Sequence, residues 1–145
     1  MGRCHTGDLA IGFVGSGSGV PDMHGNQTTA ALWLKNTSGH TCTLYGFPGV
    51  DIINKSDPSN PWPLRRVGAT PTKVTLRPGA QTGFVITLLP ADGSYSQSER
   101  VVPETLLVTP PGETQHFTLK WPYGGAIVNQ SMATRPGTYV GPING

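Results

Sequence analysis

Cys4 and Cys42 are the only cysteines in the chain, and the chemistry open to them depends on the compartment. In a Gly- and Thr-rich sequence the pair reads most simply as one disulfide of an exported protein. Such a bridge closes a loop of roughly forty residues, worth about 3–4 kcal/mol in the chain-entropy model. Against a net domain stability of ~5–15 kcal/mol that is a large share. The competing reading is two free thiols, one of them catalytic. A lipidated Cys4 is a third, although no apolar run with a small-residue cleavage site precedes it in MGRCHTGD.

Four histidines, His5, His24, His40 and His116, invite a metal reading. A Cys4–Cys42 bridge would bring His5 and His40 close, with Met23-His24 on a neighbouring loop, and Met plus His would suit copper. The bridge would also consume both thiolates, and no His-x-His or Met-x-Met spacing supports a site. Surface histidines and no metal or other cofactor are the expectation. The run GSGSG (Gly15–Gly19) resembles a phosphate cradle, but such a loop needs a following helix and often a Lys-Ser/Thr. Val20-Pro21 follows instead, so a flexible inter-strand loop is expected. No G-x-S-x-G elbow or marked carboxylate pair appears among the many Ser, Thr and dispersed acidic residues. No enzyme is expected.

Trp62 differs from the other tryptophans. Trp33 and Trp121 fall in apolar runs and should lie in or beside the core. Trp62 sits in a proline-rich stretch, Asp57–Pro63, followed by Leu64, Arg65 and Arg66. A rigid loop presenting Trp62, Leu64, Arg65 and Arg66 has the composition of an interface hot spot. Prolines 58, 61 and 63 stiffen it, as a substrate-like proteinase inhibitor requires. The competing reading folds Trp62 back over the edge of the domain.

These residues need a scaffold, and the pattern of apolar residues supplies one. Short alternating runs lie at Asp8–Val14, Thr28–Lys35, Cys42–Tyr45, Val50–Ile53, Lys73–Arg77 and Gly83–Leu89. Leu106–Val108 pairs naturally with His116–Trp121 around PPGET, and Ala126–Val128 with Thr138–Ile143 would close the sheet. Between the runs fall 20 Gly and 14 Pro residues. In RPGA, Pro78-Gly79 suits the centre of a type II turn. No window of about eleven residues carries a helical period. The result is all-β: a single immunoglobulin-like antiparallel sandwich over residues 1–145, of about eight or nine strands with one disulfide. A closed barrel is the alternative.

Composition removes other classes. Charged residues are only 12% of the chain and the formal charge is +2, with basic residues scattered apart from Arg65-Arg66. A nucleic-acid partner would want a basic stripe, and none is present. No run approaches the ~20 apolar residues of a membrane span. Met1 reads as an added start on a mature, exported domain.

Three pieces carry a family resemblance: NTSGHTCTLYGFPGV (Asn36–Val50), VTLRPG (Val74–Gly79) and VTPPGET (Val108–Thr114). Together they resemble an actinobacterial family of exported proteins and lipoproteins, catalogued as a domain of unknown function and abundant in Streptomyces and mycobacteria. Its mark here is the pattern N-x-S-x-x-x-C-T-L-x-G-x-P. The resemblance runs from Cys4 to about Ile143 and implies an immunoglobulin-like fold with a Cys4–Cys42 bridge. It brings no catalytic residue and no cofactor. A shorter similarity, an N-T-S turn and an L-x-P-G turn, is to bacterial sandwich-type proteinase inhibitors. The expected function is a secreted, non-enzymatic binding or adaptor module, its partner another extracellular protein or a cell-envelope component. The alternative is an extracellular proteinase inhibitor working through Trp62–Arg66.

Overall fold

The computed structural model describes residues 2–144. In chain order its strands are β1 (Leu9–Phe13), β2 (Thr28–Asn36), β3 (Cys42–Leu44), β4 (Gly49–Asn54), β5 (Asp57–Pro63), β6 (Arg65–Arg66), β7 (Val74–Leu76), β8 (Gln81–Leu88), β9 (Arg100–Val101), β10 (Pro103–Thr109), β11 (Phe117–Lys120), β12 (Ile127–Val128) and β13 (Tyr139–Val140). Helical structure among the described residues is confined to three short 3-10 turns, at Thr6–Asp8, Gly17–Gly19 and Gln97–Glu99. One sheet has the order β1-β2-β8-β13-β6 and a second β11-β10-β4-β5, with two-stranded ribbons β12-β9 and β3-β7 beside them. Among the described strands pairing is antiparallel except between β13 and β6, and an isolated parallel bridge joins Arg3 to Thr43. The expected all-β, immunoglobulin-like sandwich with one disulfide is thus present. It is cut into more and shorter strands than the apolar runs suggested.

Alternation explains why these segments are strands and which way they face. In β2 and β8 the register sets Ala30 opposite Ile86 and Leu32 opposite Phe84. These four, with Leu34 and Leu88, are buried, while the residues between them look outward. β4 and β10 do the same from the other layer, with Val50 opposite Val108 and Ile52 opposite Leu106. The two inward sets merge into one apolar core. Full burial of each such side chain contributes ~1.5–3 kcal/mol. Between β7 and β8 the chain turns as expected: Gly79 has φ +86°, and the Ala80 amide donates to the Arg77 carbonyl at 2.9 Å.

One segment departs from the sequence expectation. Asp57–Pro63 is not a loop but strand β5, with Trp62 opposite Ile52 and Pro63 opposite Asp51. Its three prolines are tolerated because β5 is an outermost strand with a neighbour on one side only. Only Trp62 of the seven residues is buried, so no alternation marks it in the sequence.

The sandwich has two distinct ends. At one, three sequence motifs close on each other. The Asn36 side chain is fully buried and fully used: its amide nitrogen donates to the His40 and Leu76 carbonyls at 2.8 and 3.0 Å. Its oxygen accepts from the Ser38 amide and hydroxyl at 2.9 and 2.7 Å. The Asn36 backbone pairs with Gly79 and Ala80 of the β7–β8 turn. The Cys4–Cys42 disulfide, Cα–Cα 4.8 Å, ties the N-terminal segment to β3, where Cys4 N–H donates to Thr43 O at 2.8 Å.

Glu113, from the β10–β11 turn, completes this clasp. Its carboxylate accepts from the Thr6 amide at 2.9 Å, meets His5 Nδ1 at 3.0 Å, and accepts from Arg3 at 2.9 and 3.0 Å. These donors, the Thr6 amide first and His5 next, hold its pKa down from 4.5 to about 2. A carboxyl whose pKa is lowered by folding stabilises the protein above its unfolded value and loses that contribution as pH falls. Arg3 and His5 are well exposed, so their ion pairs are screened and the Thr6 bonds dominate. Glu113→Ala is expected to lower stability by about 2 kcal/mol at neutral pH. In urea titrations the gap to wild type should narrow between pH 4.5 and about 2. A gap independent of pH would exclude this role.

Candidate functional site

The run Trp62–Arg66 does not form a presented loop. Trp62 and Leu64 are each only 7% exposed and belong to the core. The Leu64 amide donates to the Val50 carbonyl at 2.8 Å, continuing the sheet past β5. Arg65 and Arg66 are exposed on β6, where Arg65 donates to the Thr134 carbonyl. The reason is local: alternation sends Trp62 and Leu64 inward beside Ile52 and Val50, and leaves only the arginines in solvent. Sequence composition supplied a hot spot that strand geometry takes apart.

The histidines are also dispersed. His5 meets Glu113, and His40 Nε2 lies 3.8 Å from Asp8. No group of three or more His, Cys, Asp or Glu converges as a metal site among the described residues. The GSGSG run makes a 3-10 turn whose Gly19 packs against Val14 and Ala31, leaving no room for a Cβ. It serves as a cover for the sheet.

The opposite end of the sandwich is different. β4 runs from Gly49, beside the clasp, to Asn54, roughly 17 Å away at ~3.3 Å per residue. Around Asn54, two cavities of about 430 and 600 Å³ share Asn54, Asp57 and Asn129 and so form one trough. Trp62, Pro61 and Met132 line its first half, and Gln97, Arg100 and Ser96 its second. A further cavity of about 500 Å³, between Met23-His24 and Pro90–Gly93, adjoins at Arg100. Residues 23–25, 54–57, 90–100 and 129–132 therefore gather here from four separate stretches of the chain.

Side chains in the trough are held by their own hydrogen bonds. Asn54 Oδ1 accepts from Ser56 Oγ at 3.1 Å and from the Ser56 and Val102 amides at 3.3 and 3.2 Å. Asn129 Oδ1 accepts from Ser131 Oγ at 2.9 Å while its Nδ2 donates to the Ser98 carbonyl at 3.4 Å. Asn60 Nδ2 donates to Asp57 Oδ2 at 3.0 Å. The Ser96 amide, donating to Glu99 at 2.9 Å, holds that carboxyl below its usual pKa and fixes the 3-10 turn beside the trough. The side-chain oxygens of Asn54 and Asn129 are thus taken up within the protein. Among the described residues no protein acceptor meets Asn54 Nδ2, the Gln97 amide, the Arg100 guanidinium or Trp62 Nε1.

Comparison with known families settles the kinship of this architecture. The model of a domain-of-unknown-function family, DUF4232, matches residues 4–139. The chain belongs to the DUF4232 family. No curated protein and no solved structure matches it. The DUF4232 match opens at Cys4 and takes in Asn36, the Pro78-Gly79 turn and Glu113, so the motifs behind the resemblance build the clasp. They are structural residues of this DUF4232 domain, and the trough draws on none of them. Asn54, Gln97, Arg100 and Asn129 went unread because they are ordinary polar residues far apart in sequence. A concentration of Asn, Ser and Asp at turn positions was their only signal.

Proposed function

We propose that this chain is an exported, non-enzymatic binding or adaptor module that meets its partner with the loop end of the sandwich. The observation behind the reading is the trough, where Asn54, Asn60 and Asn129 are held by hydrogen bonds before any ligand arrives. Ordering them beforehand removes part of the entropy that binding otherwise costs. Loops at one end of a sandwich are also where recognition is commonly carried. The buried disulfide supports an oxidising, extracellular location. The pattern N-x-S-x-x-x-C-T-L-x-G-x-P supports an actinobacterial origin. No helix of the described residues is long and apolar enough to cross a membrane. A partner in the extracellular space or cell envelope fits these features.

The proteinase-inhibitor alternative loses its support, because Trp62 and Leu64 are buried and β5 is hydrogen-bonded into a sheet. The test is retention of components from culture supernatant and cell-wall fractions on immobilised protein. Retention should fall with the double variant Gln97→Ala/Arg100→Ala and persist with Lys120→Ala on the far edge strand. Absence of any retained component, together with turnover in a substrate panel, would refute the binding role.

A further inference from the structure

We infer that the trough around Asn54 is a binding site for a neutral oligosaccharide. This deepens the binding reading above and rests on it. The first argument is charge. Arg100 and Asp57 are the two charged residues lining the two halves, one of each sign, so the trough offers no net field to an anionic or cationic ligand. Selection must then come from hydrogen bonds and shape.

The second argument is the kind of donors left free. Sugar hydroxyls both accept and donate, and planar amide and guanidinium groups can meet adjacent hydroxyls with two N–H groups at once. Asn54, Gln97 and Arg100 are such groups, and the Asp57 carboxylate supplies an acceptor. Asn54 is held by three donors on its oxygen, so its amino group points where the fold sets it. Pro61, Pro63 and Met132, the last 94% exposed, add apolar surface against which the C–H faces of a sugar ring can lie.

The third argument separates a glycan from a peptide. An extended peptide would bind by adding a strand to β5, the open edge beside the trough. Pro58, Pro61 and Pro63 have no N–H to donate, so a continuous ladder on that edge cannot form. A ligand recognised by side chains is favoured instead.

The test is an NMR titration of the isotope-labelled protein with neutral hexasaccharides: β-1,4-glucan, β-1,4-N-acetylglucosamine, β-1,4-xylan and α-1,4-glucan. Parallel arms use hyaluronate hexasaccharide and a pool of uncharged hexapeptides. Saturable shifts at Asn54, Gln97, Arg100 and Asn129 with at least one neutral sugar are expected. Gln97→Ala and Arg100→Ala should each weaken binding about five- to tenfold, the loss of one ligand hydrogen bond. Lys120→Ala should not change it. Shifts at the trough only with the peptides or hyaluronate would overturn the neutral-glycan assignment and leave the binding module standing. Neutral-sugar shifts confined to another surface would do the same. Silence in every arm, with nothing retained from cell fractions, would overturn both.

Discussion

Loss of the Cys4–Cys42 bridge is expected to lower Tm by more than about 10 °C. The bridged residues are 38 apart in sequence. Cross-linking a loop of that length removes denatured-state entropy worth about 4 kcal/mol. At this chain size each kcal/mol moves Tm by ~3–4 °C, which gives the magnitude. Structure adds to it, because the bridge secures the residues preceding the clasp. Without it, that segment is held by hydrogen bonds only, among them Cys4 N–H to Thr43 O, Thr43 N–H to Gly2 O, Thr6 Oγ1 to Gln115 O and the Glu113 bonds to Arg3, His5 and Thr6. Both cysteines are completely buried, so reductant should act only after the domain opens. Differential scanning calorimetry of wild type and Cys4→Ala/Cys42→Ala measures the effect, and intact mass reports the two hydrogens absent from the oxidised form. A double variant melting within about 2 °C of wild type would show that the bridge contributes little.

The core strands were legible because burial there is periodic. Thr28–Asn36 and Gln81–Leu88 place every second residue in the core, and the sequence expectation located both to within two residues at each end. The Pro78-Gly79 turn was legible for a different reason, since its residue types are dictated by φ. β5, β6 and β9 were not. β5 carries three prolines and one buried residue, and the other two are two-residue strands fixed by distant partners: Tyr139-Val140 for β6, Ile127-Val128 for β9. Such pairing is a property of the closed sandwich, and no local pattern encodes it. The trough escaped the sequence on the same ground. Asn54, Gln97 and Asn129 converge only when β4, the 3-10 turn Gln97–Glu99 and the chain after β12 are brought together.

The charge and proline content around Trp62 pointed outward, while its pairing with Ile52 in the sheet goes with a buried indole, and a substitution separates the two. Trp62→Ala is expected to destabilise the protein by about 3–5 kcal/mol, the range for emptying a buried aromatic site. Trp62 lies opposite Ile52 and closes the core beneath the proline-bearing edge strand. Neither neighbour can swing in to fill the space, because Pro61 and Pro63 have no flexible side chain and fixed φ. An interface residue on a free loop would instead change stability by no more than about 0.5 kcal/mol. Arg65→Ala and Arg66→Ala provide that reference, both being exposed on β6. Urea unfolding at neutral pH gives the three values on one scale. Trp62→Phe, which retains an aromatic ring, should fall between Trp62→Ala and wild type and supplies a reading if the alanine variant does not fold. Equal stability of wild type, Trp62→Ala and Arg66→Ala would return Trp62 to the surface and reopen the presented loop.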